Sequence, residues 1–290
     1  MSTATGPALR AALADDIDRL LSAEPDVRAD VVDSVHQMRV ATRRLRSVLR
    51  SYRGLFRRES VDDLRDELRW LGGVLGVARD AEVRADRFTA LADEQTTQAK
   101  RAGRALAKSE RAKYAAAHRD IVEALDDERY ARLRDRLIAL RTDPPLRRKL
   151  ARKNASPRFS DVLRDDFRRV RRLVRDEPAP EEAERIEHLH DIRKAAKRLR
   201  YSADAAAPVL GGPAKELSSR AKKLQTVLGD HRDAVEAMAT IAARSDAAAA
   251  RGSDTSGYDR LYESESDAAR KYLDQYPAAA SFVRHKYGRR

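Results

Sequence analysis

Residues 35–46 read VHQMRVATRRLR: one histidine and four arginines in twelve residues, with no acidic residue among them. The run without carboxylates continues, so that His36 to Arg58 holds eight arginines and neither aspartate nor glutamate. The apolar residues set the period. At about 100° per residue, Met38, Ala41, Leu45, Val48, Leu49 and Tyr52 fall on one stripe about 100° wide, the signature of a helix face turned to a core. His36, Arg39, Arg43, Arg46, Arg50, Arg53 and Arg57 fall on a second stripe, three or four residues apart. Arg44 is turned to the other flank, where it meets solvent or a neighbouring acid. A cationic ridge of this length repels itself, and an anion laid along it relieves that repulsion.

The ridge has a second copy. Residues 189–200, LHDIRKAAKRLR, align without a gap onto residues 35–46. His36 matches His190, Arg39 matches Arg193, Arg43 matches Lys197, Arg44 matches Arg198 and Arg46 matches Arg200. About thirty residues after each copy stand LGGVLGVARD (71–80) and LQTVLGDHRD (224–233), which share L-x-x-V-L-G-x-x-R-D. Two matched segments in one order and spacing read as a tandem duplication. The expected halves are 1–143 and 158–290, of roughly four helices each, joined by 144–157. Asp204 stands where Arg50 stands in the first copy, which shortens the second ridge.

Helical periodicity runs through nearly the whole chain, and alternating β-branched or aromatic runs are missing. Helices are predicted at 8–22, 30–57, 59–92, 96–125, 128–142, 159–176, 181–207, 214–246 and 256–280. The intervening EP, EPAPEE, LGGP and GSDTSG segments carry turn chemistry, and DPPLRRKLARKNASPRF (143–159) is the main break. The fold class is all-α. In the helix after the first ridge, Leu64, Leu68, Leu71, Leu75 and Ala78 make a core face, with Arg65, Arg69 and Arg79 beside it. Gly76 lies on that charged flank, where a missing side chain lets a partner or a neighbouring helix approach. The counterparts in the second half are Ser218, Lys222, Arg232 and Gly229, with Lys215 one turn earlier. Asp80 and Asp233 follow these arginines directly and read either as orienting a ridge side chain or as plain structural pairs.

Composition agrees with a polyanion partner. The 290 residues carry 60 Lys+Arg against 47 Asp+Glu, a net charge of +13, with 42% apolar and only 5% aromatic residues. Such a charge draws nucleic acid, anionic membrane and inorganic phosphate polymers alike. Cysteine is absent, which excludes disulfides and thiolate metal sites. The first twenty residues lack the apolar region of a signal peptide, and no stretch approaches the roughly 20 apolar residues that cross a bilayer; the expectation is a cytoplasmic protein without a membrane partner. Each guanidinium can hold phosphate oxygens bidentately, while lysine adds a point charge. A histidine in such a row has its pKa depressed until an anion binds.

The paired H-x-x-R-x-x-x-[RK]-R-x-R helices and the paired V-L-G-x-x-R-D segments resemble the CHAD family, the "conserved histidine α-helical domain", over nearly the whole of 1–290. The resemblance implies two four-helix bundles related by pseudo-twofold symmetry, a basic central cavity or groove, and binding of inorganic polyphosphate, often at polyphosphate granules. The residues that match are His36, Arg39, Arg43, Arg44 and Arg46, with His190, Arg193, Lys197, Arg198 and Arg200. Lys197 departs from the pattern by keeping the charge and losing the fork. Many CHAD domains are fused to a CYTH triphosphate-tunnel domain opening on ExExK. Here the nearest string, ESESD (263–267), ends in Asp within a helical segment, so the reading is a CHAD domain standing alone.

No enzyme is expected. His188 and His190 form an H-x-H without an acidic or histidine cluster to complete a metal site, and no Walker A loop, G-x-S-x-G or H-E-x-x-H occurs. No cofactor is implied. The expected partner is inorganic polyphosphate, bound by His36, Arg39, Arg43, Arg46, Arg50, Arg65, Arg69, Arg79, His190, Arg193, Lys197, Arg200, Lys215, Lys222 and Arg232. The alternatives are a nucleic-acid-binding helical protein and an accessory module that recruits a polyphosphate-metabolising enzyme. Few aromatics are available to stack bases, which weighs against the first of these.

Overall fold

The computed structural model describes residues 3–57, 59–177, 182–284 and 287, with the backbone alone for 182 and 183. Arg58 and most of the EPAPEE turn lie outside the described residues. Among the described residues twelve α-helices follow one another: α1 (Thr5–Ser22), α2 (Glu24–Arg28), α3 (Ser34–Ser51), α4 (Glu59–Asp93), α5 (Thr97–Asp126), α6 (Glu128–Thr142), α7 (Arg148–Ala151), α8 (Ala155–Arg175), α9 (Glu182–Leu210), α10 (Gly212–Ala249), α11 (Ser256–Asp274) and α12 (Tyr276–Ala280). Among the described residues there is no strand, only two isolated bridges, Ala4 to Asn154 and Phe56 to Leu146. The all-α expectation holds.

Most predicted helices match to within a few residues. The helix that carries the first ridge is shorter than expected at both ends. It starts at Ser34 rather than 30 because Asp30 and Asp33 take left-handed backbone conformations (φ 52° and 65°) that no helix continues through. It ends at Ser51 rather than 57. Arg53–Leu55 form one 3₁₀ turn, and Phe56 is extended. That extension lets the Arg147 amide donate to the Leu55 carbonyl and the Arg57 amide donate to the Pro145 carbonyl, both at 2.9 Å. Arg53 and Arg57 therefore leave the ridge.

The chain divides into two compact units, and each takes helices from both sequence halves. The first comprises 1–76, 120–225 and 280–290; the second comprises 77–119 and 226–279. In the first unit α1 packs on α3, α6 and α9, α3 packs on α9, and α8 packs on α9. The predicted core face of α3 is buried throughout: Met38, Leu45, Leu49 and Tyr52 are fully covered. So is that of α4, at Leu64, Leu68, Leu71 and Leu75. Burying a side chain of this size contributes roughly 1.5–3 kcal/mol. Side-chain caps start two helices, Asp127 accepting from the Arg129 amide and Asn154 accepting from the Ser156 amide. Trp70, the only tryptophan, lies under the Arg129 guanidinium, which also bonds Glu67 at 2.7 Å.

The second unit is built from the second half of α4, most of α5, the second half of α10, and α11. Phe88, Leu91, Leu106, Ile241 and Leu261 form its core. Two buried carboxylates are each met by an arginine: Glu110 by Arg84 at 2.8 Å, and Glu265 by Arg87 through two hydrogen bonds. The ESESD string is therefore a turn of α11 whose central Glu265 is structural.

Candidate anion-binding site

The described side chains of the first unit bring the predicted ridge residues of α3 and α9 into one electrostatic cluster. Lys197 of α9 is at its centre. Burial, and then the surrounding Arg43, Arg193, Arg39 and Arg46, push the Lys197 ammonium down to about 6. The free site at neutral pH thus holds four guanidiniums around a largely neutral amine. No carboxylate among the described residues forms an ion pair with Lys197, Arg193 or Arg46, and the Arg193 Nε is buried with no hydrogen-bond partner.

From this centre the cations extend along α4. Burial, followed by the charges of Arg69 and Arg65, holds the Arg46 guanidinium below its ordinary value. Arg50 is lowered in the same way, by burial and then by Arg198, Arg169 and Arg65. Guanidinium pKa values are so high that both stay charged. The sequence reading missed Arg169 of α8. Its signal was the run RRVRR (168–172), which belongs to no repeated motif.

The glycines of α4 explain how the arginines of α3 fit. A Cβ on Gly76 would sit 3.5 Å from Arg39 Nη2, and one on Gly72 would sit 3.9 Å from Arg46 Nη1. Two glycines one turn apart open a lane along α4 in which these guanidiniums lie against the helix. The close approach expected at Gly76 is made by Arg39.

The remaining predicted residues fall in several places. His36 and His190 are half-buried on α3 and α9. Arg65 and Arg69 belong to the cluster and also bond Asp62 and Asp66, at 2.8 and 2.9 Å. Arg200 lies 4.0 Å from Asp204 and 3.4 Å from the Gln225 side-chain oxygen. Lys215 and Lys222 are exposed on α10. Arg79 and Arg232 belong to the second unit, where Arg79 bonds Glu82 at 2.8 Å and Arg232 bonds Glu236 at 2.5 Å. Asp233 lies within electrostatic reach of Arg87 in that unit.

Two motif arginines have a structural task. Arg44 Nε donates to the buried Asp16 at 2.7 Å, and its Nη1 reaches Asp204 at 3.3 Å. Arg198 Nε lies 2.6 Å from the buried Asp166 and donates to Ser51 Oγ at 3.0 Å, while Ser51 donates to Asp166 at 2.8 Å. Asp204, at the place of Arg50 in the second copy, also accepts from Ser218. The acid that shortens the second ridge is thus a junction between α3, α9 and α10. His188 donates from Nε2 to the Leu173 carbonyl at 2.8 Å, closing the end of α8. Among the described residues no group of three or more metal-ligating side chains occurs, and no helix is long and apolar enough to cross a membrane.

The comparisons with known proteins point one way. A protein of Mycobacterium tuberculosis, uncharacterised in strains CDC 1551 and H37Rv alike (MT2285 and Rv2226), is 38% identical over 275 residues, covering 92% of this chain. The chain spans 51% of the length of those relatives. Among solved structures it is similar to PptA from Streptomyces chartreusis, with a TM-score of 0.81 at 20% identity, covering 96% of this chain and 100% of that one. It is also similar to the CHAD domain of the plant Ricinus communis, with a TM-score of 0.69 at 22% identity over 97% and 92% of the two chains. The sequence profile of the CHAD domain matches residues 11–242, and the chain belongs to the CHAD family, a family associated with polyphosphate-related proteins.

Proposed function

We propose that the protein binds inorganic polyphosphate along the cationic cluster of α3, α4 and α9, without catalysing its breakdown. The observation that carries this reading is the crowding of Arg39, Arg43, Arg46 and Arg193 around Lys197, whose ammonium is pushed down first by burial and then by these arginines. A chain of phosphates supplies one anionic charge per unit and bidentate acceptors for each fork. The guanidiniums lodged in the lane of α4 glycines are weakly hydrated cations, which lowers the cost of pairing them with phosphate. Hydrolysis of the polymer calls for metal-binding carboxylates, and the cluster is made of cations. Association with polyphosphate-metabolising enzymes, or with granules, is compatible with this reading.

The test is titration with long-chain polyphosphate, duplex DNA and single-stranded RNA at about 150 mM and about 500 mM salt, since counter-ion release makes all three salt-dependent. Polyphosphate is expected to bind more tightly than either nucleic acid at both salt levels. Equal or tighter binding of DNA or RNA overturns the proposal in favour of a nucleic-acid binder. Arg39→Ala with Arg193→Ala is expected to weaken polyphosphate binding at least tenfold, about 1.4 kcal/mol, with unchanged helical content.

A further inference from the structure

We infer that the first unit carries a second, separate anion site, a pocket for a compact triphosphate group formed where the 143–155 segment is stitched to the start of α1 and the end of α3. The cavity is about 510 Å³, within the range of small-ligand sites. Arg10, Arg57, Arg147, Arg148 and Arg152 line it, with Asp143 as the only acid. None of these five arginines forms an ion pair with a described residue. Arg57 belongs to the first ridge by sequence period, and the extended backbone at Phe56 delivers it here instead.

The frame of the pocket is tied at both ends by backbone hydrogen bonds. The Arg147 and Arg57 amides bond the Leu55 and Pro145 carbonyls at 2.9 Å, and the Thr5 amide and hydroxyl both donate to the Lys153 carbonyl at 2.8 Å. The Ala155 amide returns a bond to the Thr3 carbonyl at 3.0 Å. Gly6 allows this closure. A Cβ there would sit 3.3 Å from both the Cβ and the carbonyl oxygen of Ala151, tighter than the packing comfortably accepts. The first turn of α1 holds no acidic residue, so its positive end adds to the field of the arginines.

Five guanidiniums against one carboxylate among the described residues leave a local charge of about +4, on exposed side chains carried by a hydrogen-bonded frame. That charge matches a group of three or four negative charges. The cavity volume suits a few phosphates rather than a long polymer, and the planar forks suit phosphate oxygens. Inorganic tripolyphosphate and the triphosphate of a nucleotide present the same chemistry.

The experiment is calorimetric titration of the full chain with inorganic tripolyphosphate and, in a parallel arm, with ATP. The proteins are the parent, Arg147→Ala with Arg152→Ala, and the ridge variant Arg39→Ala with Arg193→Ala. The parent is expected to show two classes of tripolyphosphate site. The pocket variant is expected to lose one class, weakened at least about tenfold by removal of two charged contacts, and to keep long-chain polyphosphate binding at the ridge. The ridge variant is expected to keep the pocket class. Equal affinity for ATP and tripolyphosphate assigns the inorganic group, and tighter ATP binding assigns a nucleotide. Should the pocket variant fail to fold, Arg10→Gln with Arg57→Gln must show the same loss. Absence of tripolyphosphate binding in the parent, unchanged stoichiometry in the folded pocket variants, or loss of all tripolyphosphate binding in the ridge variant overturns the inference. Loss of polyphosphate binding alone in the ridge variant leaves the pocket standing.

Discussion

Arg44 and Arg198, 154 positions apart, each pair through Nε with a buried aspartate, Asp16 at 2.7 Å and Asp166 at 2.6 Å. Each is flanked by ridge cations of the Lys197 cluster: Arg43 and Arg46 in one copy, and Arg193 in the other. One helix thus presents two kinds of arginine a few residues apart. Those on the flank toward α1 and α8 hold the fold together, and those on the ridge gather round Lys197.

That division predicts opposite phenotypes for residues of the same type. Arg198→Ala leaves Asp166, 2% exposed, as an uncompensated buried charge, and Arg44→Ala does the same to Asp16. Each is expected to lower stability by about 3–5 kcal/mol, measured by urea unfolding. Arg39→Ala and Arg193→Ala are expected to change stability little and polyphosphate affinity strongly. A binding defect in folded Arg198→Ala as large as that of Arg193→Ala would contradict the division.

Polyphosphate binding is expected to tighten as pH falls from about 7.5 to about 5.5. Lys197 titrates near 6 in the free protein. A bound anion favours its charged form and raises that value, so binding near neutral pH takes up a proton. Calorimetry in buffers of different ionisation enthalpy measures this uptake. His36 and His190 lie on the same two helices, so Lys197→Met is the control. The Lys197 share of the uptake is expected to vanish in it.

The same lysine makes a stability prediction of definite sign. Its folded pKa is depressed, so between about 6 and its unfolded value near 10.4 the unfolded chain binds more protons than the native one. Stability therefore rises with pH across that window. Lys197→Met is expected to raise the Tm by several degrees while weakening polyphosphate binding. A fall in Tm would show that Lys197 makes stabilising contacts that outweigh its burial and its repulsion by the surrounding arginines.

Gly76 is expected to tolerate alanine and resist leucine. An alanine Cβ meets Arg39 at 3.5 Å, an ordinary contact, and alanine improves helix propensity by about 1 kcal/mol. A leucine at 76 fills the lane that Arg39 occupies. Gly76→Leu is expected to cut polyphosphate affinity severalfold with helicity intact, and Gly76→Ala to leave it within about twofold, since an ordinary van der Waals contact costs little.

In the second unit, Glu265→Gln is expected to destabilise by a few kcal/mol, because Arg87, itself largely buried, loses its charged partner. Hydrogen exchange should localise that loss to α4, α5, α10 and α11, the helices that share the core with Leu261.

Much of this architecture was legible in the chain. Period alone places Met38, Leu45, Leu49 and Tyr52 inside and Arg39, Arg43 and Arg46 together on another face, because 3.6 residues per turn leaves a helix little freedom in what it groups. The repeated motif points to Arg193 and Lys197 as their companions. Arg44 was legible as turned away, but not its partner Asp16, since a pairing across 28 residues depends on how helices pack and not on their spacing.

Tertiary structure decided the rest. Period extends the first ridge to Arg53 and Arg57, yet pairing of Phe56 with Leu146, 90 positions on, ends the helix early and sends Arg57 into another pocket. Arg169 is brought up to Arg50 from a helix with no ridge motif, and Arg79 and Arg232, which belong to the second matched motif, fall in a different compact unit. The sequence determined which side chains share a helix face, because that is local geometry. Which faces meet, and how far Lys197 is driven from its ordinary charge, depended on charges and packing contributed by distant parts of the chain.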